Sequence, residues 1–413
     1  MGNVSRENTV VMKFGGTSVG TLERIENVAK KVISHKKATG DNVVVVVSAM
    51  SGETDRLVGL AKKINGVVDY SREYHQLVCA GEQVSCSLTA MAMKRFGSNS
   101  KALLASHIKL RTKNVCGQNL IDSIDADYLW DLLRQDIIPV VAGFQGVDEN
   151  GDFTTLGRGG SDTTGVALAA ALDSSRCIIY TDVDGVYTTL PSLCKKAKKL
   201  PALSYEEMLE LASGGAKVLH ARCVSLAMKY AVPLEVRSTF TDTEGTRIVE
   251  EYEGMEDAVV SGITVKTDEA KLTIRNIPDR PGIAARLFKL ISEAGVVVDM
   301  IVQSAGQSDL AQISFTVSSE DAARTYDLLM VVIKEDMPQT TVTVDNEIAK
   351  LSIVGEGMKN HAGIAAQMFE VLGREGINID MITTSEIKVS VAINQKYSEL
   401  AVRVLHEFFI ENK

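Results

Sequence analysis

The sequence predicts an α/β protein: a three-layer domain around a mostly parallel sheet, followed by two smaller modules of the βαββαβ type. Two observations predict this fold. Residues 1–245 alternate short β-branched apolar runs with helix-length segments, which is typical of a parallel sheet with helices on both faces. The last third of the chain contains an internal repeat, and such a repeat predicts two copies of one structural unit.

Composition excludes several classes of protein. The chain has 413 residues, 45% apolar and 23% charged, which is near the globular average and predicts two or three domains. Its net charge of −9 would repel nucleic acid. The longest apolar runs, such as residues 43–47, are far shorter than the ~20 residues that span a bilayer, and residues 1–10 lack a secretory pattern. We therefore expect a cytoplasmic protein that binds neither nucleic acid nor membrane.

Six cysteines are scattered along the chain without a C-x-x-C pair. They are Cys79, Cys86, Cys116, Cys177, Cys194 and Cys223. This spacing predicts neither a disulfide framework nor a zinc site. We expect reduced and mostly buried thiols, and the sequence predicts no metal-ligating residues.

The strands predicted in the first domain each end near a turn that contains glycine. They span residues 9–14, 42–48, 137–144 and 177–181, with a helix at 22–35. The turns that follow such segments are Gly15-Gly16, Ser51-Gly52, residues 157–160 and Asp184-Gly185. These turns should lie at the carboxyl ends of strands, where open α/β sheets bind their ligands.

The repeat begins after residue 266. Residues 281–288 and 295–301 of the first copy match 362–369 and 376–382 of the second, both at an offset of 81. Each copy predicts the order strand, helix, strand, strand, helix. The predicted divisions are a first domain at 1–245, a connector at 246–265 that contains a short strand at 246–249 and one further strand, a first module at 266–345 and a second module at 346–413.

The second copy lacks one strand. The first copy continues into a fourth strand at 340–344, whereas the second stops after its second helix. A missing strand would leave a sheet edge open. We therefore predict that residues 258–265, ahead of the first copy, complete the second module, so that the first module is inserted within the second.

One glycine-rich motif reads Lys-Phe-Gly-Gly-Thr-Ser-Val at residues 13–19. It follows an apolar strand and precedes a helix that should start near Thr21. Glycines let backbone amides approach an anion, a helix amino terminus adds a favourable dipole, and Lys13 supplies a charge. The motif predicts a phosphate-binding turn that differs from the P-loop, in which the lysine follows the glycines. A tight turn with a solvated lysine is the alternative.

A second motif, Thr-Thr-Leu-Gly-Arg-Gly-Gly-Ser-Asp-Thr-Thr, occupies residues 154–164 and leads into a predicted helix at 165–172. So much glycine costs conformational entropy and buries no area, so binding explains the loop better than packing does. Arg158 can hold a carboxylate with two hydrogen bonds, and the hydroxyls of Ser161 and Thr163 suit an anion. A flexible surface loop is the alternative.

Three weaker signals lie elsewhere. Residues 180–187 read Tyr-Thr-Asp-Val-Asp-Gly-Val-Tyr and end a strand in a turn with two carboxylates, and Lys217 follows two glycines. A satisfied Asp-Gly turn and a solvated lysine are the ordinary explanations. Glu82 is predicted to open a helix, where an acid either complements the helix dipole or serves a site.

In combination and in this order, the two motifs and the paired repeats resemble those of the amino-acid kinase family, and within it the aspartate kinases with C-terminal ACT modules. The resemblance runs through nearly the whole chain. It implies the amino-acid-kinase fold and transfer of the γ-phosphoryl group of ATP to the side-chain carboxylate of L-aspartate, giving 4-phospho-L-aspartate. This is the first step towards lysine, threonine and methionine. Mg²⁺ is expected with ATP, although no compact metal-ligand signature is present.

The resemblance also assigns roles to individual residues. Lys13 would stabilise the charge of the moving phosphoryl group, and Asp162 would orient Lys13. Arg158 would hold the α-carboxylate of the substrate and Glu82 its α-ammonium; the other residues expected around the substrate are Thr54, Phe144, Thr155 and Ser161. The residues expected around ATP are Lys13, Gly15, Gly16, Ser18, Thr181, Asp182, Tyr187 and Lys217. Because the attacking carboxylate is already ionised at neutral pH, no general base is required.

One position departs from the family pattern. Where relatives commonly carry Asp-Pro-Arg, this chain has Leu190-Pro191-Ser192. An arginine expected near the nucleotide is therefore absent. Lys195 and Lys196 are the candidates to replace it.

The paired ACT-like modules imply regulation by an amino acid, lysine or threonine or both. By resemblance, the residues expected around this effector are Asp279, Arg280, Pro281, Gly282, Ile283, Gln303 and Ser304. We expect a homo-oligomer, either a dimer or a tetramer; the alternative is that the repeats serve only dimerisation. Two rival functions stay open: a related kinase for an acylated amino acid, such as an acylglutamate kinase, and a non-catalytic amino-acid sensor on the same fold.

Overall fold

The computed structural model describes residues 8–66, 70–115, 117–216, 218–252, 259–305, 310–337 and 339–412. These residues divide into two compact units. The first unit lies within Met1–Val186, Lys199–Ala212 and Lys217–Glu253. The second lies within Tyr187–Lys198, Ser213–Ala216 and Gly254–Lys413.

Up to residue 249 the chain alternates strands and helices. The strands are β1 (Thr9–Phe14), β2 (Asn42–Val47), β3 (Ser100–Leu103), β4 (Arg111–Val115), β5 (Gln118–Ser123), β6 (Ile138–Ala142), β7 (Gln145–Val147), β8 (Phe153–Thr155), β9 (Arg176–Thr181), β10 (Ala202–Ser204), β11 (Leu234–Ser238) and β12 (Thr246–Val249). The helices are α1 (Leu22–Thr39), α2 (Glu53–Asn65), α3 (Arg72–Arg95), α4 (Ala126–Arg134), α5 (Gly160–Ala171), α6 (Tyr205–Ser213) and α7 (Ala221–Lys229).

The main sheet of the first unit has eight strands in the order β10-β12-β11-β9-β1-β2-β6-β3. Neighbouring strands are parallel except β11 and β12. The central strands β1, β2 and β6 are buried along almost their whole length, as expected when apolar residues face helices on both sides. The predicted mostly parallel α/β fold is confirmed. A separate sheet has four strands in the order β5-β4-β7-β8. These strands come between β3 and β9 in the sequence.

The predicted strands of this unit lie within two residues of the observed ones. The short strand predicted at 246–249 is β12, which pairs with both β10 and β11. The stretch predicted as a connector therefore contributes a strand to the main sheet.

The second unit contains one antiparallel sheet, in the order β14-β15-β13-β16-β18-β17. Its strands are β13 (Gly262–Pro278), β14 (Ile301–Ala305), β15 (Leu310–Ser318), β16 (Thr341–Val354), β17 (Met381–Thr384) and β18 (Lys388–Asn394). Its helices are α8 (Ile283–Glu293), α9 (Ala322–Asp336), α10 (Ile364–Arg374) and α11 (Ser398–His406), with short 3₁₀ helices at Glu356–Asn360 and Gln395–Tyr397 and a π-helical turn at Glu407–Glu411.

The long strands β13 and β16 serve both repeats. Residues 262–266 pair with 350–354 of the second repeat, whereas residues 271–275 pair with 341–345 of the first. The first of these pairings is the one predicted to complete the second module; Ala258, where that segment was expected to begin, lies outside the described residues. Register shifts between Lys266 and Lys271 mark bulges, which bend a strand and let its two parts follow different modules. The domain limits themselves stay predictions.

Each repeat has its own apolar core. Leu272, Phe315 and Leu329 are buried in the first repeat, and Met368 and Leu405 in the second. In the described part of the chain, no helix is both long and apolar enough to cross a membrane.

Candidate active site

A buried ion pair joins the two glycine-rich motifs of the first unit. Lys13 lies near the end of β1 and is only 6% exposed, and its Nζ contacts a carboxylate oxygen of Asp162. Asp162 lies in the first turn of α5. The helix comes this close because residue 165 is glycine: a Cβ there would lie 3.2 Å from the Cβ of Lys13. The structure therefore brings together the two residues predicted to be catalytic.

The first glycine turn directly follows β1. The N–H of Gly15 donates to a carbonyl of β9 at 3.0 Å. A Cβ at Gly16 would lie 3.0 Å from the carbonyl oxygen of Ala49, so glycine lets the turn lie against the end of β2. Ser18 is fully buried and shares a hydrogen bond of 2.6 Å with the hydroxyl of Thr239. The Ser18 hydroxyl thus already has a hydrogen-bond partner within the protein. The contact between Ser18 and phosphate stays a prediction.

The helix α5 begins at Gly160, five residues earlier than predicted. Its cap, Gly159, has a φ of 68° and offers no side-chain hydrogen bond to the first turn. Ser161 and Asp162 therefore lie in the first turn, where backbone N–H groups and the helix dipole favour an anion. The glycines of this stretch have low helix propensity and therefore predict a loop. Close packing explains why glycine is present: a Cβ at Gly160 would lie 2.9 Å from the ring of Phe144.

Phe144 has a left-handed backbone, with a φ of 68°, which is unusual for a bulky residue. Two hydrogen bonds hold it: its N–H donates to the hydroxyl of Thr164 at 3.1 Å, and its carbonyl accepts from the N–H of Leu156 at 2.8 Å. The preceding Gly143 packs closely on Ser161, since a Cβ at 143 would lie 2.9 Å from the Cβ of Ser161. The end of β6 thus brings two predicted substrate residues, Phe144 and Ser161, to the start of α5.

Glu82 lies in the middle of α3, so the prediction that it opens a helix is wrong. Buried residues at helical spacing continue on both sides of it, and Gly81 lets the helix pack within reach of Ala49, where a Cβ at Gly81 would lie 2.9 Å from the Ala49 Cβ. Glu82 is 3% exposed. The N–H of Ala49 donates to its Oε1 at 3.1 Å, while Oε2 has no hydrogen-bond partner in the described part of the chain. Burial raises the pKa of Glu82 to about 7, against the opposing effect of the Ala49 hydrogen bond.

A buried carboxylate oxygen without a partner is costly. In its ionised form, the oxygen Oε2 of Glu82 is therefore suited to accept a hydrogen bond from a cationic ligand. The same face of α3 carries His75 and Cys79, seven and three residues earlier. His75 shares a hydrogen bond of 3.0 Å with the hydroxyl of Thr155, and the Cys79 thiol donates to the carbonyl of Thr154 at 3.8 Å. This face thus packs against β8, which leads into the second glycine-rich motif.

Arg158 is exposed and lies in a cleft of about 730 Å³. The residues that line this cleft are Tyr70, His75, Asn114, Gly117, Gln118, Asn119, Thr155, Leu156, Gly157, Arg158, His220 and Arg222. The predicted substrate residues Thr155 and Arg158 are among them. The other predicted substrate residues, Thr54, Glu82, Phe144 and Ser161, lie outside this lining.

Sequence reasoning missed several residues of the cleft. Arg222 donates to the carbonyls of Leu156 at 2.5 Å and Asn119 at 2.7 Å. The amide of Asn119 donates to the carbonyl of Thr155 at 3.1 Å. His220 packs against Gly159, the cap of α5: a Cβ added at Gly159 would lie 2.3 Å from the Cβ of His220. These groups fix the backbone on either side of Arg158, and no local pattern at 119 or 222 indicates this role.

The remaining predicted ATP residues are only partly placed. Thr181 and Asp182 follow one another at the end of β9, and the Thr181 hydroxyl donates to the Asp182 carboxylate at 3.0 Å. Tyr187 belongs to the second unit. Lys217 lies outside the described residues.

The predicted effector residues lie in the second unit. Asp279, Arg280, Pro281 and Gly282 are exposed in the loop between β13 and α8, and Ile283 packs against the core of the first repeat. Gln303 and Ser304 are exposed on β14, which is an edge strand of the sheet.

Comparison with known proteins agrees with this architecture. Residues 8–238 match the amino acid kinase family, and residues 275–330 and 351–409 match an ACT domain. An aspartate kinase of Stutzerimonas stutzeri is 51% identical over 401 residues, 97% of both chains. An aspartokinase of Helicobacter pylori is 46% identical over 404 residues, 97% of this chain and 98% of that relative. The crystal structure of E. coli aspartokinase III with aspartate and ADP has a TM-score of 0.81 at 26% identity, and the match covers 97% of this chain and 99% of that one.

The parallel-sheet domain with its two glycine-rich turns, matched over more than half of the chain, is that of an amino acid kinase. The chain belongs to the amino acid kinase family, among its aspartate kinases. It is thus an enzyme that uses ATP, and it carries ACT modules of the regulatory type. The fold and function predicted from the sequence are confirmed, and the acylglutamate kinase and sensor alternatives are not favoured.

Proposed function

We propose that this enzyme transfers the γ-phosphoryl group of ATP to the side-chain carboxylate of L-aspartate at the site formed by β1, α3, α5 and the loop 154–160. The contact between Lys13 and Asp162 carries this proposal, because it joins the nucleotide turn to the helix that follows Arg158. The E. coli aspartokinase III that the chain resembles was solved with aspartate and ADP, which supports the choice of substrates.

Lys13 and the two turns act on the phosphates. The Lys13 ammonium neutralises charge on the phosphoryl group in flight, and the amides of Gly15 and Gly16 receive phosphate oxygens. Asp162 is a positioning residue, because its carboxylate fixes the Lys13 amine against the first turn of α5. In phosphoryl transfer, positioning and charge stabilisation provide nearly all of the catalysis.

Arg158 and Glu82 orient the substrate. The Arg158 guanidinium pairs with the α-carboxylate in two parallel hydrogen bonds. The unpartnered Oε2 of Glu82 accepts the α-ammonium, which also compensates for the burial of the carboxylate. Thr54, Phe144, Thr155 and Ser161 complete the surroundings of aspartate. The side-chain carboxylate of aspartate then attacks in its ionised form, without a general base.

The nucleotide side needs a divalent ion and further contacts. The carboxylate of Asp182, directly after β9, offers an oxygen ligand of the kind that Mg²⁺ prefers alongside phosphates. Bound Mg²⁺ would neutralise the β- and γ-oxygens. Ser18, Thr181, Tyr187 and Lys217 stay predicted ATP contacts. Lys195 and Lys196 stay the candidates to replace the missing arginine, and Lys196 is already paired with Glu411 at 2.6 Å.

An ADP-release assay with aspartate, glutamate or N-acetylglutamate as acceptor tests this function. We expect release that depends on aspartate and that is abolished in Lys13→Ala. Release that is equal with all three acceptors, or that persists in Lys13→Ala, would contradict the proposal. The cytoplasmic location stays a prediction.

We further propose that lysine or threonine binds at the exposed loop before α8 and at the edge strand β14, in a homo-oligomer. An E. coli aspartokinase III with lysine and aspartate bound has been solved, which supports lysine as the first effector to test. Inhibition by either amino acid should weaken in Asp279→Asn, whereas Asp268→Asn, outside that loop, serves as the control. Light scattering should give the mass of a dimer or a tetramer, and a monomer at all concentrations would refute the assembly.

A further inference from the structure

The second unit contains a cluster of metal-ligating side chains far along the chain from the motifs described above. The sulfur of Cys194, the Nδ1 atom of His406 and a carboxylate oxygen of Glu411 lie within 4.8 Å of one another. Cys194 is 6% exposed and His406 is fully buried. We propose that these three side chains bind one divalent metal ion, with Zn²⁺ as the ion they suit best. The sequence predicted no such site, because 212 residues separate Cys194 from His406.

The distances fit a tetrahedral ion. With usual bond lengths to zinc, a sulfur and a nitrogen ligand lie about 3.6 Å apart, and a nitrogen and an oxygen ligand about 3.4 Å apart. The Cys194 sulfur lies 3.6 Å from Nδ1 of His406. Oε1 of Glu411 lies 3.0 Å from the same nitrogen. To hold an ion, Oε1 would move a few tenths of an ångström away from Nδ1, and the sulfur and Oε1, which lie within 4.8 Å of each other, would settle at about 3.6 Å.

The backbone is shaped to bring two of the ligands together. His406 and Glu411 are five residues apart, and on an α-helix such residues point about 140° away from each other. Here α11 continues into the π-helical turn Glu407–Glu411, and the N–H of Asn412 donates to the carbonyl of Glu407 at 3.2 Å. The wider π turn brings residues five apart to one face, and such turns are frequent at functional sites.

Surrounding groups orient the ligands. Nε2 of His406 lies 2.9 Å from the hydroxyl of Thr188, and that hydroxyl already accepts the N–H of Lys198 at 3.0 Å. It can accept an Nε2–H as well, which leaves the lone pair of Nδ1 for a metal, the usual arrangement around a metal-bound histidine. The ammonium of Lys196 holds the second oxygen of Glu411 at 2.6 Å, so that Oε1 faces His406.

The ion would tie the segment 187–198 to the end of the chain within the second unit. The ammonium of Lys198 also donates to the carbonyl of Ile410 at 3.1 Å, and Leu193 packs against the core of the second repeat. Three protein ligands leave a fourth position for water, and the Glu411 side chain is 14% exposed. A bound ion stabilises the folded unit by mass action.

Cobalt titration of the full chain tests the site. The protein is treated with chelator, kept reduced by a phosphine and titrated with Co²⁺, whose thiolate complexes show a charge-transfer absorption. We expect one equivalent to bind with this absorption and Zn²⁺ to displace it, and zinc should raise the unfolding temperature. Cys194→Ser should lose the absorption, and Glu411→Gln should weaken binding at least about tenfold.

Two matched variants serve as controls. Cys86→Ser removes a buried thiol elsewhere and Glu407→Gln changes a neighbouring acid of the same π turn, and both should bind like the unmodified chain. Circular dichroism establishes that each variant is folded; should Cys194→Ser fail to fold, Glu411→Gln decides the question. A folded chain without thiolate absorption at saturating cobalt, or one whose absorption persists in Cys194→Ser, overturns the proposal and leaves a hydrogen-bonded cluster.

Discussion

The two ends of the active site are built on different principles. At the phosphoryl end, the side chains of Lys13 and Asp162 are 8% and 15% exposed, and Gly165 lets them meet. At the substrate end, Arg158 is exposed in an open cleft, and its neighbours fix the backbone on either side of it. A buried charge keeps its strength because water screens it little, whereas an exposed one is screened. We therefore propose that the phosphoryl end is pre-organised, whereas the exposed Arg158 side chain takes a fixed position only when aspartate binds.

The largest effect should follow removal of Lys13. In Lys13→Ala we expect kcat to fall roughly 10³-fold, because a pre-organised charge at the transition state is lost, while KM for aspartate changes less than about threefold. Steady-state kinetics at saturating ATP measures both quantities. Lys36→Ala, which removes a lysine from a surface ion pair, is the control and should behave like the unmodified enzyme. An unchanged kcat would show that the buried end is structural.

Removal of Arg158 should act mainly on binding. In Arg158→Ala we expect KM for aspartate to rise about 100-fold, since two charge-assisted hydrogen bonds are lost. Arg158→Lys should recover only part of the loss, because an ammonium cannot form the paired contact. Arg134→Ala, on the surface of α4, is the control. Should kcat fall as far as in Lys13→Ala with KM unaltered, the contrast between the two ends would be wrong.

Glu82 should make substrate binding depend on pH. Burial raises its pKa to about 7, and only the ionised form attracts the α-ammonium, so KM for aspartate should fall roughly tenfold from about pH 6 to pH 8. Glu82→Gln should raise KM and abolish this dependence. The measurement is kcat/KM across that range, with the exposed Glu73→Gln as the control.

The same pKa fixes the sign of a stability effect. A carboxyl group whose pKa is raised on folding stabilises the folded chain fully below its unfolded value of 4.5, and this contribution is lost as pH rises towards about 7. Denaturant unfolding of Glu82→Gln should lack this pH-dependent component.

The kinetic prediction for Glu82 has its own contrary outcome. A KM for aspartate that stays constant between pH 6 and 8 in the unmodified enzyme would show that Glu82 does not belong to the substrate site.

Local pattern predicted the ends of strands and the two motifs, because these depend on residues adjacent in the chain. Lys13 could be named for this reason, whereas the role of Asp162 beside it came from the resemblance to the amino-acid kinase family. The position of Glu82 within α3 could not, since Ala80-Gly81 looks like a helix boundary until its packing on Ala49 is seen. The roles of Asn119 and Arg222 depend on contacts across more than 30 residues, for which the sequence contains no periodic signal.

The smallest effect should come from Thr155, at the border between the two ends. Its hydroxyl shares a hydrogen bond of 3.0 Å with His75, and burial lowers the pKa of that histidine, which keeps it neutral at pH 7. In Thr155→Val we expect KM for aspartate to rise about fivefold, the equivalent of one neutral hydrogen bond of about 1 kcal/mol, with kcat unchanged. Thr112→Val is the matched control, because Thr112 is buried beside Thr154 and lies outside the cleft lining. If Thr155→Val lowers kcat and leaves KM alone, then β8 belongs to the pre-organised end, and the boundary between the two ends lies nearer to Arg158 than we infer.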